Sequence, residues 1–212
     1  MLTDSDMESL KAPQHEVQRL LGLCLLRIQQ YEHLLKAIVA HHDLYGTPST
    51  WEAEKAKRVQ KVSTKTLGGL VGDLMGSYLV DTGQAERPPD HLPDGPEPTV
   101  RMTLQLQLEA ADWARTQKDL KDLVKLRNGL VHHFIDRHDL GTIHGCLAAQ
   151  EVLVADYKRI DLSAQQLAGW AEQMEQTRIS AAAMLQSDAV RDLLLEGSAP
   201  DGSNSLAIHR DR

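Results

Sequence analysis

Apolar residues recur every three or four positions along most of the chain, a spacing that predicts amphipathic α-helices. Polar capping residues, glycines and prolines stand near the ends of these patterns, where helices usually begin and end. The predicted helices cover residues 13–43, 49–80, 109–135, 142–185 and 187–195. The pattern indicates an all-α bundle of four to five helices with long antiparallel members.

Two stretches and a group of glycines depart from the simple helical pattern. Residues 81–98 hold five of the eight prolines, which predicts a Pro-rich loop excursion. Residues 99–108 alternate between polar and apolar, which indicates either a strand of a small hairpin or the start of a helix. Gly69, Gly72 and Gly76 fall on one helical face. Because glycine weakens a helix, we expect close backbone packing against another helix at this face.

These elements predict one folded domain. Residues 13–195 form a helical domain, interrupted by the loop excursion at 81–108, since neither side of the loop looks complete alone. The polar residues 1–12 are predicted as a flexible N-terminus and residues 196–212 as a disordered tail.

Composition and charge narrow the class of protein. With 42% hydrophobic and 25% charged residues, the 212-residue chain has the make-up of a folded domain. A net charge of −7 disfavours the coating of long nucleic acid through bulk charge, but leaves a local basic site open. No stretch approaches the roughly 20 apolar residues of a membrane span, so we expect a cytoplasmic protein that does not enter membranes. Cys24 and Cys146 are predicted to be reduced core thiols.

The candidate chemistry lies at Leu123–Phe134, which reads LVKLRNGLVHHF within a predicted helix. At about 100° per residue, Asn128 and His132 share the polar face and are neighbours one turn apart. Arg127 falls instead inside the apolar arc, where its charge requires a partner or a cleft. This displacement argues against a simple Arg–His pair within one protomer. It predicts a cleft that a neighbouring helix or a second chain completes.

Two interpretations of this helix are open at this point. In the structural one, Arg127 forms an ion pair and His132 is a solvated surface histidine. In the functional one, both converge on an anionic substrate, since arginine binds phosphate through a rigid fork and histidine titrates near neutral pH. Lys118, Lys121 and Lys125 either guide an RNA backbone or form a solvated face with neighbouring aspartates.

The segment RNGLVH, from Arg127 to His132, matches the Rx4–6H signature of the HEPN superfamily, which this chain resembles. His133 also fits the spacing of the signature. The surroundings are similar too, with a long amphipathic first helix, then TKTLGGLVGDL, then the late helix that carries the motif. The resemblance predicts a HEPN-like helical bundle.

The resemblance implies a metal-independent endoribonuclease that acts as a homodimer, with an active cleft built from the motif helices of both protomers. Arg127 would bind the scissile phosphate, and His132 would act as general acid or base on the ribose 2′-hydroxyl or the leaving 5′-oxygen. Asn128 would orient the histidine or the phosphate, and His133 is the alternative base. Such proteins are commonly toxins or antiviral-defence effectors, so a cognate antitoxin or defence-system protein is an expected partner.

One departure and one alternative accompany this interpretation. Family toxins silenced by a nucleotidyltransferase usually carry Rx4HxY, but Phe134 stands at the tyrosine position, so that form of silencing is not expected. The alternative is a catalytically silent HEPN-like protein that acts in dimerisation, in nucleotide or RNA binding, or in partner regulation. Retention of both Arg127 and His132 favours the enzyme. We expect no metal or other cofactor, because His132 and Asp136 share one helical face without further ligands and adjacent histidines diverge.

Overall fold

The fold is mostly helical, as predicted, with four short strands. The computed structural model describes residues 4–47, 49–83 and 99–188. The helices are α1 Asp4–His41, α2 Trp51–Ser63, α3 Leu67–Asp73, α4 Ala110–His132, α5 Phe134–Arg137 and α6 Ile143–Leu185, and a π-helical turn covers Leu74–Tyr78. The strands are β1 Asp43–Gly46, β2 Leu79–Asp81, β3 Val100–Thr103 and β4 Leu106–Leu108. No helix in these ranges is long and apolar enough to cross a membrane.

The chain divides into two compact units, Met1–Met174 and Glu175–Arg212. The first contains both strand pairs and the predicted site, whereas the described part of the second is the end of α6 and residues 186–188. The predicted tail and most of the predicted terminal helix at 187–195 lie outside the described residues.

The first helix begins earlier than the pattern predicted. Residues 4–12, expected to be a flexible terminus, belong to α1, and Pro13 lies inside the helix rather than in its first turn. Proline removes one backbone hydrogen bond within a helix. Contacts with the C-terminal part of the chain offset that loss, since Gln150 Nε2 donates to the Pro13 carbonyl at 3.0 Å. Tertiary packing therefore overrides the local helix-breaking signal.

The second predicted helix is broken into pieces. After α2, Thr64–Thr66 separate it from α3, and the Thr66 side chain caps α3 by accepting from Gly69 N at 3.4 Å. The expected glycine packing is wrong at all three positions, since a Cβ at Gly69 would meet Thr66 Oγ1 at 3.7 Å, an atom of the N-cap of the same helix. A Cβ at Gly72 or Gly76 would meet no atom within 4 Å, so these glycines face open space and not another helix.

The alternating stretch at 99–108 forms strands, so the strand interpretation is confirmed and the helical alternative is wrong. β3 pairs antiparallel with β1, and β4 pairs parallel with β2. The strands do not form the hairpin that was predicted with the preceding loop. Their partners are β1, which directly follows α1, and β2, which directly follows the π-helical turn. Both partner strands have four residues or fewer, too short for a pattern of period two to stand out.

The Asp43 carboxylate links the start of β1 to α2 and β3 through hydrogen bonds. Its carboxylate accepts hydrogen bonds from Arg58 of α2 at 2.9 Å, from Arg101 of β3 at 3.1 Å and from Thr103 at 2.8 Å. Burial alone would raise the pKa of Asp43, but these hydrogen bonds from Arg58, Arg101 and Thr103 lower it from 3.8 to about 2.

We expect Asp43 to make folding acid-sensitive. Because its pKa is lower in the folded state, its contribution of about 2 kcal/mol to the free energy of unfolding is complete above pH 3.8 and is lost as the pH falls towards 2. Urea unfolding of the wild type and of Asp43→Asn across that range measures this. The stability difference should shrink as the pH falls, and a difference that is constant with pH would contradict the assignment.

The core that supports the site is formed by α1, α3, α4 and α6. Cys24 of α1 and Cys146 of α6 are fully buried free thiols, as predicted. Burial, with a smaller effect from the nearby Asp156 carboxylate, raises the pKa of Cys24 to about 11. On the helix that carries the motif, the buried apolar side chains are Leu120, Leu123 and Leu130, followed by Phe134 at the start of α5. The predicted apolar arc of this helix therefore faces the core.

Candidate active site around Arg127 and His132

Arg127 lies half-buried between α4 and α1. Its Nε is 3.6 Å from Oε1 of Glu32 on α1, and 29% of the Arg127 side chain is exposed. The apolar arc places the stem of the arginine on the core side of the helix, and the glutamate compensates part of its charge there. Glu32 was not predicted, because the sequence pattern shows no relation between two residues on different helices.

The terminal guanidinium nitrogen reaches the polar face of the same helix. Arg127 Nη1 lies 3.5 Å from His132 Nε2 and 3.3 Å from Asn128 Oδ1. The expectation that helical phase separates Arg127 from His132 within one protomer is therefore wrong. The long arginine stem spans the angle that separates their Cα positions. The structure brings together three of the residues predicted from the motif.

The contact with Arg127 fixes how His132 can take part in it. A guanidinium only donates hydrogen bonds, so a hydrogen bond between the two groups uses Nε2 of His132 as the acceptor. His132 and Asn128 are both exposed, and the main clefts of the described surface are lined by other residues. The group is an open surface site, accessible to a polymer.

His133 points to a different partner. It follows the last residue of α4 with non-helical backbone angles, and its ring is tilted 66° from that of His132. Its Nδ1 lies 4.0 Å from Asp136 Oδ2. The two neighbouring histidines thus occupy different surroundings, and His132, not His133, is the one with a contact to Arg127.

The predicted substrate-binding lysines do not converge on Arg127. The ammonium groups of Lys118 and Lys125 each lie 3.1 Å from a carboxylate oxygen of Asp122. Lys121 is exposed on the same helix. These contacts correspond to the solvated-face interpretation of the lysines.

A second arginine, which the sequence analysis missed, lies against the motif helix. A Cβ at Gly129 would come within 2.8 Å of Arg137 Nη1, so the absence of a side chain at Gly129 makes room for this guanidinium. Gly129 and Arg137 line a cleft of about 740 Å³ with Lys125 and Arg159. The sequence signal for this contact was the glycine inside the motif segment RNGLVH.

No group of three or more His, Cys, Asp or Glu side chains placed to hold a metal ion occurs within residues 4–47, 49–83 and 99–188. The histidines near the motif have other neighbours. His138 packs against Phe134 with ring centroids 4.6 Å apart, and His133 faces Asp136.

Comparisons of the chain with protein-family models, with curated proteins and with solved structures found no match. The motif and the geometry of its side chains are therefore the basis for a functional interpretation.

Proposed function

We propose that this chain is a metal-independent endoribonuclease of HEPN type, acting as a toxin or an antiviral-defence effector. The observation that carries the proposal is the contact of Arg127 Nη1 with His132 Nε2 at 3.5 Å on an exposed surface. Arginine and histidine are the two groups that RNA transesterification most needs, one for phosphate charge and one for proton transfer.

The Nε and the terminal nitrogens of Arg127 have different contacts, which supports different roles for them. Glu32 holds the Nε side, which leaves the terminal nitrogens to turn towards a phosphate. Asn128 Oδ1 accepts from Nη1 and holds the arginine next to the histidine. When a phosphate draws Arg127 away, Nε2 of His132 is left with a free lone pair for the ribose 2′-hydroxyl.

The proposed reaction is a transesterification at phosphorus. His132 Nε2 takes the proton of the 2′-hydroxyl, the 2′-oxygen bonds to phosphorus, and the bond from phosphorus to the 5′-oxygen breaks. The leaving 5′-oxygen takes a proton from a protonated His132 of the second protomer in the proposed homodimer, and the products carry a 2′,3′-cyclic phosphate and a 5′-hydroxyl. Arg127 stabilises the charge that develops on the phosphorane oxygens.

A homodimer would complete this site. Two exposed apolar side chains, Val131 at 45% and Ile135 at 79%, flank the C-terminal end of the motif helix. A two-fold interface across this end would cover both and bring a second Arg127 and His132 near the first. One histidine would then take a proton while the other donates one. The same surface is the expected docking place for a cognate antitoxin or another partner of a defence system.

The test is RNA cleavage by the purified full chain in the presence of EDTA. We expect multiple-turnover cleavage that excess chelator does not reduce, because both reacting groups belong to the chain. Cleavage that requires added Mg²⁺ or Mn²⁺ would contradict the proposed reaction. Absence of cleavage would favour the silent-protein alternative, and a clean monomer in light scattering would contradict a site completed by a second protomer.

A further inference from the structure

A second cleft, away from the Arg127 group, has the features of a small-molecule site. It encloses about 610 Å³ between α2, β1 and the segment formed by α3 and the π-helical turn. Volumes of this size are typical of sites for small ligands. None of its lining residues belongs to the motif helix, so the site is independent of the proposed ribonuclease function.

Bare backbone forms one side of this cleft. Gly72 and Gly76 line it, and a Cβ at either would point into open space. Glycine inside a helix lowers helix stability relative to alanine, and no packing contact offsets that loss here. Gly76 lies in the π-helical turn, a distortion that is frequent at functional sites. The glycines keep volume open that side chains would otherwise fill.

The other side of the cleft carries a surplus of positive charge. Each lining carboxylate has a basic partner: Asp43 binds Arg58, Glu54 binds Lys57, and Asp73 binds Lys65. Asp43 is shared with Arg101, so one carboxylate faces two arginines. Lys61 also lines the cleft and has no carboxylate partner among the described residues.

The cleft is also lined by a largely buried histidine whose Nδ1 is hydrogen-bonded within the protein. His42 lines the cleft, although only 6% of the residue is exposed. Its Nδ1 donates to the carbonyl oxygen of Val39 at 3.0 Å, which leaves Nε2 as the second ring nitrogen of a residue that lines the cleft. Burial lowers the pKa of His42, so the ring is neutral and Nε2 is an acceptor at neutral pH.

We propose that this cleft binds a small hydroxylated phosphate ester, with Lys61 and Arg58 on the phosphate and His42 Nε2 accepting a hydrogen bond from a hydroxyl. Lys61, the one lining cation without a carboxylate partner among the described residues, supplies a positive charge for the phosphate, and Arg58, which also binds Asp43, adds a planar set of donors. As the accepting nitrogen of a neutral ring that lines the cleft, Nε2 of His42 favours a ligand that carries a hydrogen-bond donor such as a hydroxyl. Ribose 5-phosphate and a nucleoside 5′-phosphate share this chemistry.

Calorimetric titration of the full chain tests the proposal. Ribose 5-phosphate is expected to bind at one site, more tightly than inorganic phosphate, and ribose alone is not expected to bind. Lys61→Ala should weaken binding by about tenfold or more, whereas Lys55→Ala, on the same helix but outside the cleft, should leave it unchanged. Equal affinity in Lys61→Ala, or no saturable binding of ribose 5-phosphate at about 1 mM, would overturn the proposal. Tighter binding of adenosine 5′-phosphate supports it and identifies a nucleotide as the source.

Two further variants separate the cleft from general effects on folding. Gly72→Leu should fill the cleft and abolish ester binding, while Tm stays at or above that of the wild type because leucine favours a helix more than glycine. Gly169→Leu, where a Cβ also meets open space outside the cleft, is the control that should bind normally. His42→Asn keeps a donor for Val39 and lacks Nε2. It should weaken binding of ribose 5-phosphate but not of inorganic phosphate, and an equal loss for both would contradict the role of His42.

Discussion

Replacing His132 with alanine is expected to reduce RNA cleavage by about 10²- to 10⁴-fold, the usual contribution of a general acid–base residue. The rate falls because His132 is the basic group beside the terminal nitrogen of Arg127; Asn128 has no basic nitrogen, and the Glu32 carboxylate lies on the Nε side of the arginine. His132 is exposed at the end of α4, so the substitution should change the free energy of unfolding by no more than about 0.5 kcal/mol. Initial rates on a fluorogenic RNA, with urea unfolding in parallel, measure both effects.

The neighbouring histidine provides the matched control for this variant. His133 is also exposed, but it faces Asp136 and not Arg127. His133→Ala should therefore retain most of the cleavage activity. If His133→Ala loses the activity and His132→Ala keeps it, the assignment of the base is wrong, although the arginine assignment would stand.

Replacing Arg127 with alanine is expected to reduce cleavage by about 10²- to 10³-fold, the range found when one group that stabilises the transition-state charge is removed. Expression of the wild type should arrest bacterial growth, and Arg127→Ala should relieve the arrest. The variant also leaves Glu32 without its partner in a half-buried position, so stability must be measured beside activity. The double variant Arg127→Ala, Glu32→Ala removes that unpaired carboxylate and should remain inactive.

Two controls separate phosphate binding from loss of charge. Arg115 lies 12 residues earlier on α4, roughly 18 Å away along the axis, and its side chain is 70% exposed. Arg115→Ala should leave cleavage unchanged. Arg127→Lys keeps the charge but loses the planar fork, so its activity should lie well below the wild type. Full activity in Arg127→Lys would show that a point charge is sufficient and would contradict the contact with His132 as a required arrangement.

The long helices could be predicted because their apolar spacing is continuous over many turns. The last helix, Ile143–Leu185, was predicted within one residue of its start and at its observed end. The N-terminal part of α1 was missed because Pro13 and polar residues weaken the local signal. Contacts such as that between Gln150 and Pro13 cross 137 positions of sequence, and no periodicity contains them. Helix faces are local properties, whereas helix ends next to the core depend on tertiary packing.

The candidate site shows the same division between local and long-range information. The motif and the helical phase placed Asn128 beside His132, since both follow from positions on one helix. The reach of Arg127 to His132 was not predicted, because a wheel places Cα positions and not the ends of long side chains. Glu32 of α1 and Arg137 beyond α4 also went unnoticed, since their contacts are set by the packing of separate elements.

For Gly72 and Gly76 of the second cleft, the sequence predicted the wrong kind of surroundings. Glycines on one helical face usually allow a close neighbour, and this was the expectation for Gly72 and Gly76. A helix face without side chains can also keep a cleft open, and Gly72 and Gly76 line such a cleft. Sequence spacing identifies the face but not what lies opposite. The buried His42 beside them was likewise hidden, because a helix-end histidine gives no sign of burial.

The central claim is that Arg127 and His132 carry out RNA transesterification without a metal ion. The most direct test is the chemistry of the RNA ends produced by the wild type in EDTA. We predict a 2′,3′-cyclic phosphate on the upstream fragment and a 5′-hydroxyl on the downstream fragment, both absent when His132→Ala replaces the wild type. A 5′-phosphate on the downstream fragment, or the same ends formed at the same rate by His132→Ala, would contradict the claim.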